Sequence, residues 1–233
     1  MYATLRALHR PGDPLVLPNV WDAGSARAVA DAGFPALATA SAAVADSLGY
    51  ADEEGAPAAE MFAAARRVIR AVDVPVTVDA EGGYGLPPDE LAARLREIGA
   101  AGCNLEDTRD GTYQDIDAQA AYLATLREAA PDLVINARTD AFVHGVPDAL
   151  DQARARAVRY REAGADCFYP IALDDPAAIT DLVRLAPVNV YAAPGADVGR
   201  LAALGVARVS FGPGVYRHAL ASVRAFVRDL PGH

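Results

Sequence analysis

Two carboxylates, Asp79 and Glu81, stand two residues apart and lead into Gly82, Gly83 and Gly85. The run ahead of them, Val74-Pro75-Val76-Thr77-Val78, is β-branched and apolar, the pattern of a short buried strand. Residues i and i+2 of an extended segment leave on one face, so the two acids point the same way. Paired carboxylates repel unless a proton or a cation lies between them. The glycines permit a sharp turn or a close approach of backbone to a ligand. A solvated surface turn is the plain alternative, but such a turn has no need of an apolar strand ahead of it.

The same arrangement recurs along the chain. Gly102 to Asp107 is an apolar run ending in Glu106 and Asp107, and Leu133 to Ala137 ends at Arg138-Thr139-Asp140. Leu15 to Val20 reads as a first strand, and Ala36 to Ala40 as a second that delivers Ser41. After it comes a long connection, Ala42 to Gly55, that contains Asp52. Helical stretches are expected from Asp22 to Ala32, Pro57 to Val72, Pro87 to Gly99, Asp117 to Ala130, and Pro147 to Ala163 with its arginines on the wet face. Strands at Asp166–Pro170, Val188–Tyr191 and Ala207–Ser210 alternate with helices at Pro176–Leu185, Asp197–Leu204 and Val215–Arg228. Strands alternating with helices build a parallel sheet. Eight such units in a 233-residue chain point to one domain, a (β/α)8 TIM barrel. A doubly wound open sheet is the alternative; Asn19-Val20-Trp21-Asp22-Ala23 is not the phosphate fingerprint it would carry after strand one.

Barrel chemistry sits where strands end. That collects Asn19, Trp21, Ser41, Asp79, Glu81, Glu106, Asp107, Arg138 and Pro170. Several acids at one mouth call for a divalent cation, and Arg138 with Ser41 suits a carboxylate or phosphoryl group. Arg138 reads equally as an ion pair that neutralises the acids, and Trp21 as core packing. Gly195 and Gly212-Pro213-Gly214 follow strands seven and eight, where barrels bind phosphate; ligand-free tight turns explain them as well.

The sequence contains no lysine, which removes Schiff-base chemistry, pyridoxal phosphate attachment and the P-loop together. His9, His144, His218 and His233 show no metal spacing, so oxygen ligands and magnesium, with manganese possible, are favoured over zinc. The net charge of −10 disfavours nucleic acid. No run approaches the roughly 20 apolar residues that span a bilayer. Met1 to Arg10 lacks the apolar core of a signal peptide, and Cys103 and Cys167 lack ligand spacing, so a cytoplasmic enzyme with reduced thiols is the expectation.

Asp79-Ala80-Glu81-Gly82-Gly83-Tyr84-Gly85, Asn104-Leu105-Glu106-Asp107 and Asn136-Ala137-Arg138-Thr139-Asp140 resemble segments of the isocitrate lyase and phosphoenolpyruvate mutase superfamily. Asn19 to Ala26 and Thr39-Ala40-Ser41 with Gly49 to Asp52 are similar to its first two strand ends. The resemblance implies magnesium at the barrel mouth and α-oxo carboxylates processed through an enolpyruvate-like state. It implies Asp79, Glu81, Glu106 and Asp52 as the metal-site acids, the last two partly through water. It also implies Ser41 with the amides of Ala42 and Ala43 as a carboxylate cradle, Arg138 on the substrate, and Trp21, Gly82 and Pro170 beside it. Homo-oligomers, commonly with the last helix exchanged, are implied as well.

This chain departs from the family pattern in places. The lyases' Cys-containing loop after strand four is replaced by Thr108-Arg109-Asp110-Gly111-Thr112-Tyr113-Gln114-Asp115, which also lacks the lysine and asparagine of the mutases. Gly111 and its polar neighbours suit a mobile lid. Pro170 precedes Ile171 where methylisocitrate lyases have glutamate. The expected activity is a magnesium-dependent lyase or hydrolase that cleaves a C–C or P–C bond of a small α-oxo or α-hydroxy carboxylate. The alternatives are a phosphonomutase, a phosphate-binding isomerase barrel, and an inactive oxyacid-binding barrel.

Overall fold

A computed structural model describes residues 1–231. In order the elements are α1 (Tyr2–Leu8), β1 (Leu15–Leu17), β2 (Asn19–Val20), α2 (Ala23–Asp31), β3 (Leu37–Thr39), α3 (Ser41–Leu48), α4 (Ala58–Ile69), β4 (Val76–Asp79), α5 (Pro88–Ile98) and β5 (Gly102–Glu106). They continue with β6 (Thr108–Arg109), β7 (Thr112–Tyr113), α6 (Ile116–Ala129), β8 (Val134–Thr139), α7 (Ala149–Glu162), β9 (Cys167–Pro170), α8 (Pro176–Leu182), β10 (Asn189–Tyr191), α9 (Val198–Ala203), β11 (Arg208–Ser210) and α10 (Gly214–Arg228).

One parallel run is β2-β3-β4-β5-β8-β9 and a second is β1-β11-β10. Two joins close them into a ring. β1 and β2 are one extended stretch interrupted at Pro18, which has no N–H to give to a ladder. On the other side Phe168 bridges to Val188 in parallel, and its N–H donates to the Pro187 carbonyl at 2.8 Å. The ring is a (β/α)8 barrel, as the strand–helix alternation requires.

The strands are apolar along their length because both faces are covered. Leu91, Leu95, Leu105, Leu123, Ile135 and Phe168 fill the layer between sheet and helices. α1, unforeseen from the sequence, closes the lower end: Leu5 packs against Leu15, Leu17, Ala36, Ala38 and Val134. Burying one such leucine contributes roughly 1.5–3 kcal/mol. Among the described residues no helix is long and apolar enough to cross a membrane.

One local expectation is corrected and a second segment is defined. Ser41–Leu48 is α3, not part of an irregular connection; the segment is alanine-rich, and Gly49 ends it in the left-handed conformation at φ 88°. The segment after β5, expected as a lid, forms an antiparallel hairpin, β6 paired with β7. It is tied down by Thr108 Oγ1 donating to Asp140 Oδ2 at 2.7 Å and by Arg109 Nε donating to the Gly82 carbonyl at 3.0 Å.

Candidate active site

Barrel interiors are usually filled by branched aliphatic side chains. This one carries a polar relay. Asn136 Nδ2 donates to Asn104 Oδ1 at 2.8 Å, and Asn104 Nδ2 donates to Asp79 Oδ1 at 2.9 Å. The other Asp79 oxygen, Oδ2, accepts the Ser41 N–H at 3.0 Å, and the Asp79 N–H donates to Thr39 Oγ1 at 2.8 Å. β5 and α3 therefore hold this carboxylate directly, β8 supports it through Asn104, and β3 holds its backbone. Ser41 begins α3, so the first-turn N–H groups there have no partner within the helix, and the positive end of its dipole faces the acid.

Above Asp79 lies a cavity of about 180 Å³ whose wall includes Ser41, Ala42, Asp52, Asp79, Asn104 and Arg138. Tyr169 and Ile171 form a further side, and Gly212, Pro213 and Arg217 close the rim. A wider groove of about 680 Å³ lies on the outer helices around Arg27, Arg66 and Arg94, away from the strand ends.

Three further acids surround Asp79. Asp52 borders the cavity, and burial raises its pKa. Burial, then the charge of Asp79, pushes the Glu81 carboxyl up to about 7; Glu81 is 2% exposed and accepts a short bond from the Glu54 N–H. Glu106 is ion-paired with Arg138 at 2.7 Å; burial pushes its pKa up and Arg138 opposes that. Arg138 also donates from Nε to Asp140 at 2.6 Å, and although burial works against its charge, the surrounding acids raise its pKa further. Arg138 is thus the ion pair that the sequence offered as one reading, and it also stands on the cavity wall. Among the described residues no three His, Cys, Asp or Glu side chains stand close enough to hold one ion by themselves. His9, His144 and His218 lie apart, and His233 is outside the described residues.

Several expected site residues lie elsewhere. Trp21 does not border the cavity; its ring meets Tyr216 edge-on at 5.0 Å over a separate groove. Pro170 gives its place to its neighbours Tyr169 and Ile171, because alternate strand residues face opposite ways. Ala43 is buried in the wall of α3 while Ala42 borders the cavity. Gly82 sits under the hairpin, where a Cβ would overlap the Thr108 carbonyl oxygen; its role is close approach. The Ser41 N–H is engaged by Asp79, so the amides expected for a substrate carboxylate remain those after it.

Asp107 turns away from the mouth altogether. It is fully buried and accepts from Arg156 at 3.0 Å and from Tyr160 at 2.8 Å. Arg156 is correspondingly inside α7 rather than on its wet face. Cys103 is buried packing, and burial pushes its thiol up to about 12.

The residues missed by sequence reasoning are Asn104, Tyr169, Arg208, Ser210 and Arg217. A polar or charged residue at an inward strand position is the signal that marks the first four.

A family model for phosphoenolpyruvate phosphomutase matches residues 5–230. A crystal structure from Burkholderia cenocepacia J2315, whose phosphonomutase designation is provisional, superposes with a TM-score of 0.92 at 45% identity, covering 98% of this chain and 99% of that one. An uncharacterized Mycobacterium tuberculosis protein is 36% identical over 216 residues, 91% of this chain and 83% of its own length. The 2-methylisocitrate lyase of Bacillus subtilis is 30% identical over 198 residues, 80% of this chain but only 65% of the lyase. The chain belongs to the phosphoenolpyruvate phosphomutase family, within the phosphoenolpyruvate mutase and isocitrate lyase superfamily whose motif segments it carries.

Proposed function

We propose that this chain is a magnesium-dependent lyase or hydrolase that cleaves a C–C or P–C bond in a small α-oxo or α-hydroxy carboxylate. The observation that carries the reading is Asp79, fixed by Asn104 and Ser41 on the wall of a polar cavity that Arg138 shares. The donor set fits a hard divalent cation: the acids are all oxygen donors, they raise one another's pKa, and Arg138 is the cation paired among them. Magnesium keeps several waters and takes only one or two carboxylates directly. Asp79 is the direct ligand in this reading, with Asp52, Glu81 and Glu106 acting partly through water. Such a cation supplies Lewis-acid polarisation of the substrate's oxo group.

The chain's own groups bind and orient. The α3 amides at Ala42 and Ala43 face a substrate carboxylate, and Arg138 opposes the negative charge that develops on the oxo oxygen as the adjacent bond breaks. The cavity, about 180 Å³ and polar, suits a small acid. α10 presents exposed Val223, Phe226 and Val227, with exposed Leu230 just beyond its end, a face suited to a second copy, so the working form is a homo-oligomer in this reading.

The test is product formation from oxaloacetate, phosphonopyruvate, 2-methylisocitrate and a set of 2-hydroxy acids, with and without magnesium. Magnesium-dependent cleavage of one of them is expected. Rearrangement without cleavage would make the protein a phosphonomutase, and binding without turnover an inactive oxyacid-binding barrel; either contradicts the reading.

A further inference from the structure

Arg208 is the one interior cation that the account so far leaves without work. It lies at the start of β11, is 2% exposed, and borders the same cavity as Asp79 and Arg138. Its Nε and Nη1 are buried with no hydrogen-bond partner, and among the described residues no carboxylate forms a salt bridge with it. The groups facing it are neutral or distant: Cys167, the Tyr169 phenol held un-ionised by burial, and Asp79, whose oxygens already bond Ser41 and Asn104. The nearby His9 ring brings no anion either: burial and the charge of Arg208 hold it neutral, lowering its pKa to about 4. Burial lowers the pKa of Arg208 as well.

A buried, unpaired guanidinium is costly, because the Coulomb energy that would offset its lost hydration is missing. The other buried arginines of this fold avoid that cost: Arg156 has Asp107, and Arg138 has Glu106 and Asp140. A cation kept unsatisfied on a cavity wall is matched by a ligand that brings the anion.

We propose that Arg208 is the seat for a second oxyanion group of the substrate, so that the barrel selects small dianionic oxyacids over monoanions. This rests on the functional reading above. One anionic group of the ligand lies toward α3 and Arg138, and the other meets the planar fork of Arg208, which suits a carboxylate or phosphonate through two parallel N–H donors.

The test is metal-free, so that it reads anion binding apart from cleavage; its failure leaves the cleavage reading standing, and the reverse holds too. Wild type and Arg208→Met are compared in low-chloride buffer by calorimetry and thermal melting, with acetate, malonate and inorganic phosphate as probes. Wild type is expected to bind malonate more tightly than acetate, and Arg208→Met to lose most of that gain, roughly tenfold or more. Without any anion, Arg208→Met is expected to melt at or above wild type, since an uncompensated charge has been removed.

Competition between phosphate and malonate would assign the seat to the substrate's own group; simultaneous binding of both would assign the phosphate seat to a free inorganic anion and overturn the specificity role. Equal malonate binding by the two proteins would overturn the proposal. Should the methionine variant fail to fold, wild type alone still decides: no preference for malonate over acetate contradicts it.

Discussion

The Ser41 N–H donates to Asp79 Oδ2 at 3.0 Å, joining the helix after one strand to the carboxylate at the end of the next. Asn104 holds the other oxygen at 2.9 Å. Asp79 is therefore oriented from both sides before any ligand arrives. Removing the support without touching the acid should separate positioning from chemistry. Asn104→Ala is expected to lower kcat/KM by about 10- to 100-fold, the usual cost of losing a ligand's hydrogen-bonded support. Most of the loss should fall on kcat, with a melting temperature close to wild type. A loss confined to KM would show that Asn104 binds substrate instead.

Glu81 gives the stability of the metal-free protein a pH dependence. Its folded pKa, about 7, lies above the ordinary glutamate value of about 4.3. Between those values the folded chain holds the proton more than the unfolded chain does, so stability falls as pH rises through the window. The melting temperature is expected to drop from pH 5 to pH 8 on the order of 5 °C. Glu81→Gln should flatten that slope. A slope unchanged in the variant would place its origin elsewhere.

Asp107 and Arg156 form a buried pair at 3.0 Å with Tyr160. Arg156→Ala leaves the carboxylate without its charge partner and is expected to cost about 3–5 kcal/mol in urea unfolding. A cost below about 1 kcal/mol would be that of an exposed pair and would contradict the burial.

The barrel order was legible because strand and helix periods differ and alternate regularly along the chain. Asp79, Ser41 and Arg138 followed as strand-end residues and Asp52 from the family resemblance, and the structure brings them to one cavity. Asp107 has the same sequence signature as Glu106 but the opposite side-chain direction, because successive strand residues alternate faces. Its partners Arg156 and Tyr160, 49 and 53 positions away, explain the burial. α3 was missed because Gly49, Asp52 and Gly55 made the whole stretch read as loop. Arg208 was missed because a single arginine between Ala207 and Val209 looks like an outward strand residue.

The exposed apolar face of α10 sets an expectation for assembly. Wild type should scatter light with a mass well above the 24.3 kDa of one chain. Phe226, 67% exposed, is the residue to change: Phe226→Asp should return the mass to that of one chain without lowering the melting temperature of the barrel itself. A wild-type mass of one chain would remove the oligomer, and an oligomer that persists in the variant would move the interface off this helix.

The claim on which the functional account depends is that Asp79 is the direct carboxylate ligand of a divalent cation. Calorimetric titration of magnesium into wild type and Asp79→Ala, each with oxalate present, measures this. The account predicts one cation per chain in wild type and at least about tenfold weaker binding in the variant, with the fold intact by circular dichroism. Magnesium binding of equal affinity in both proteins would contradict it.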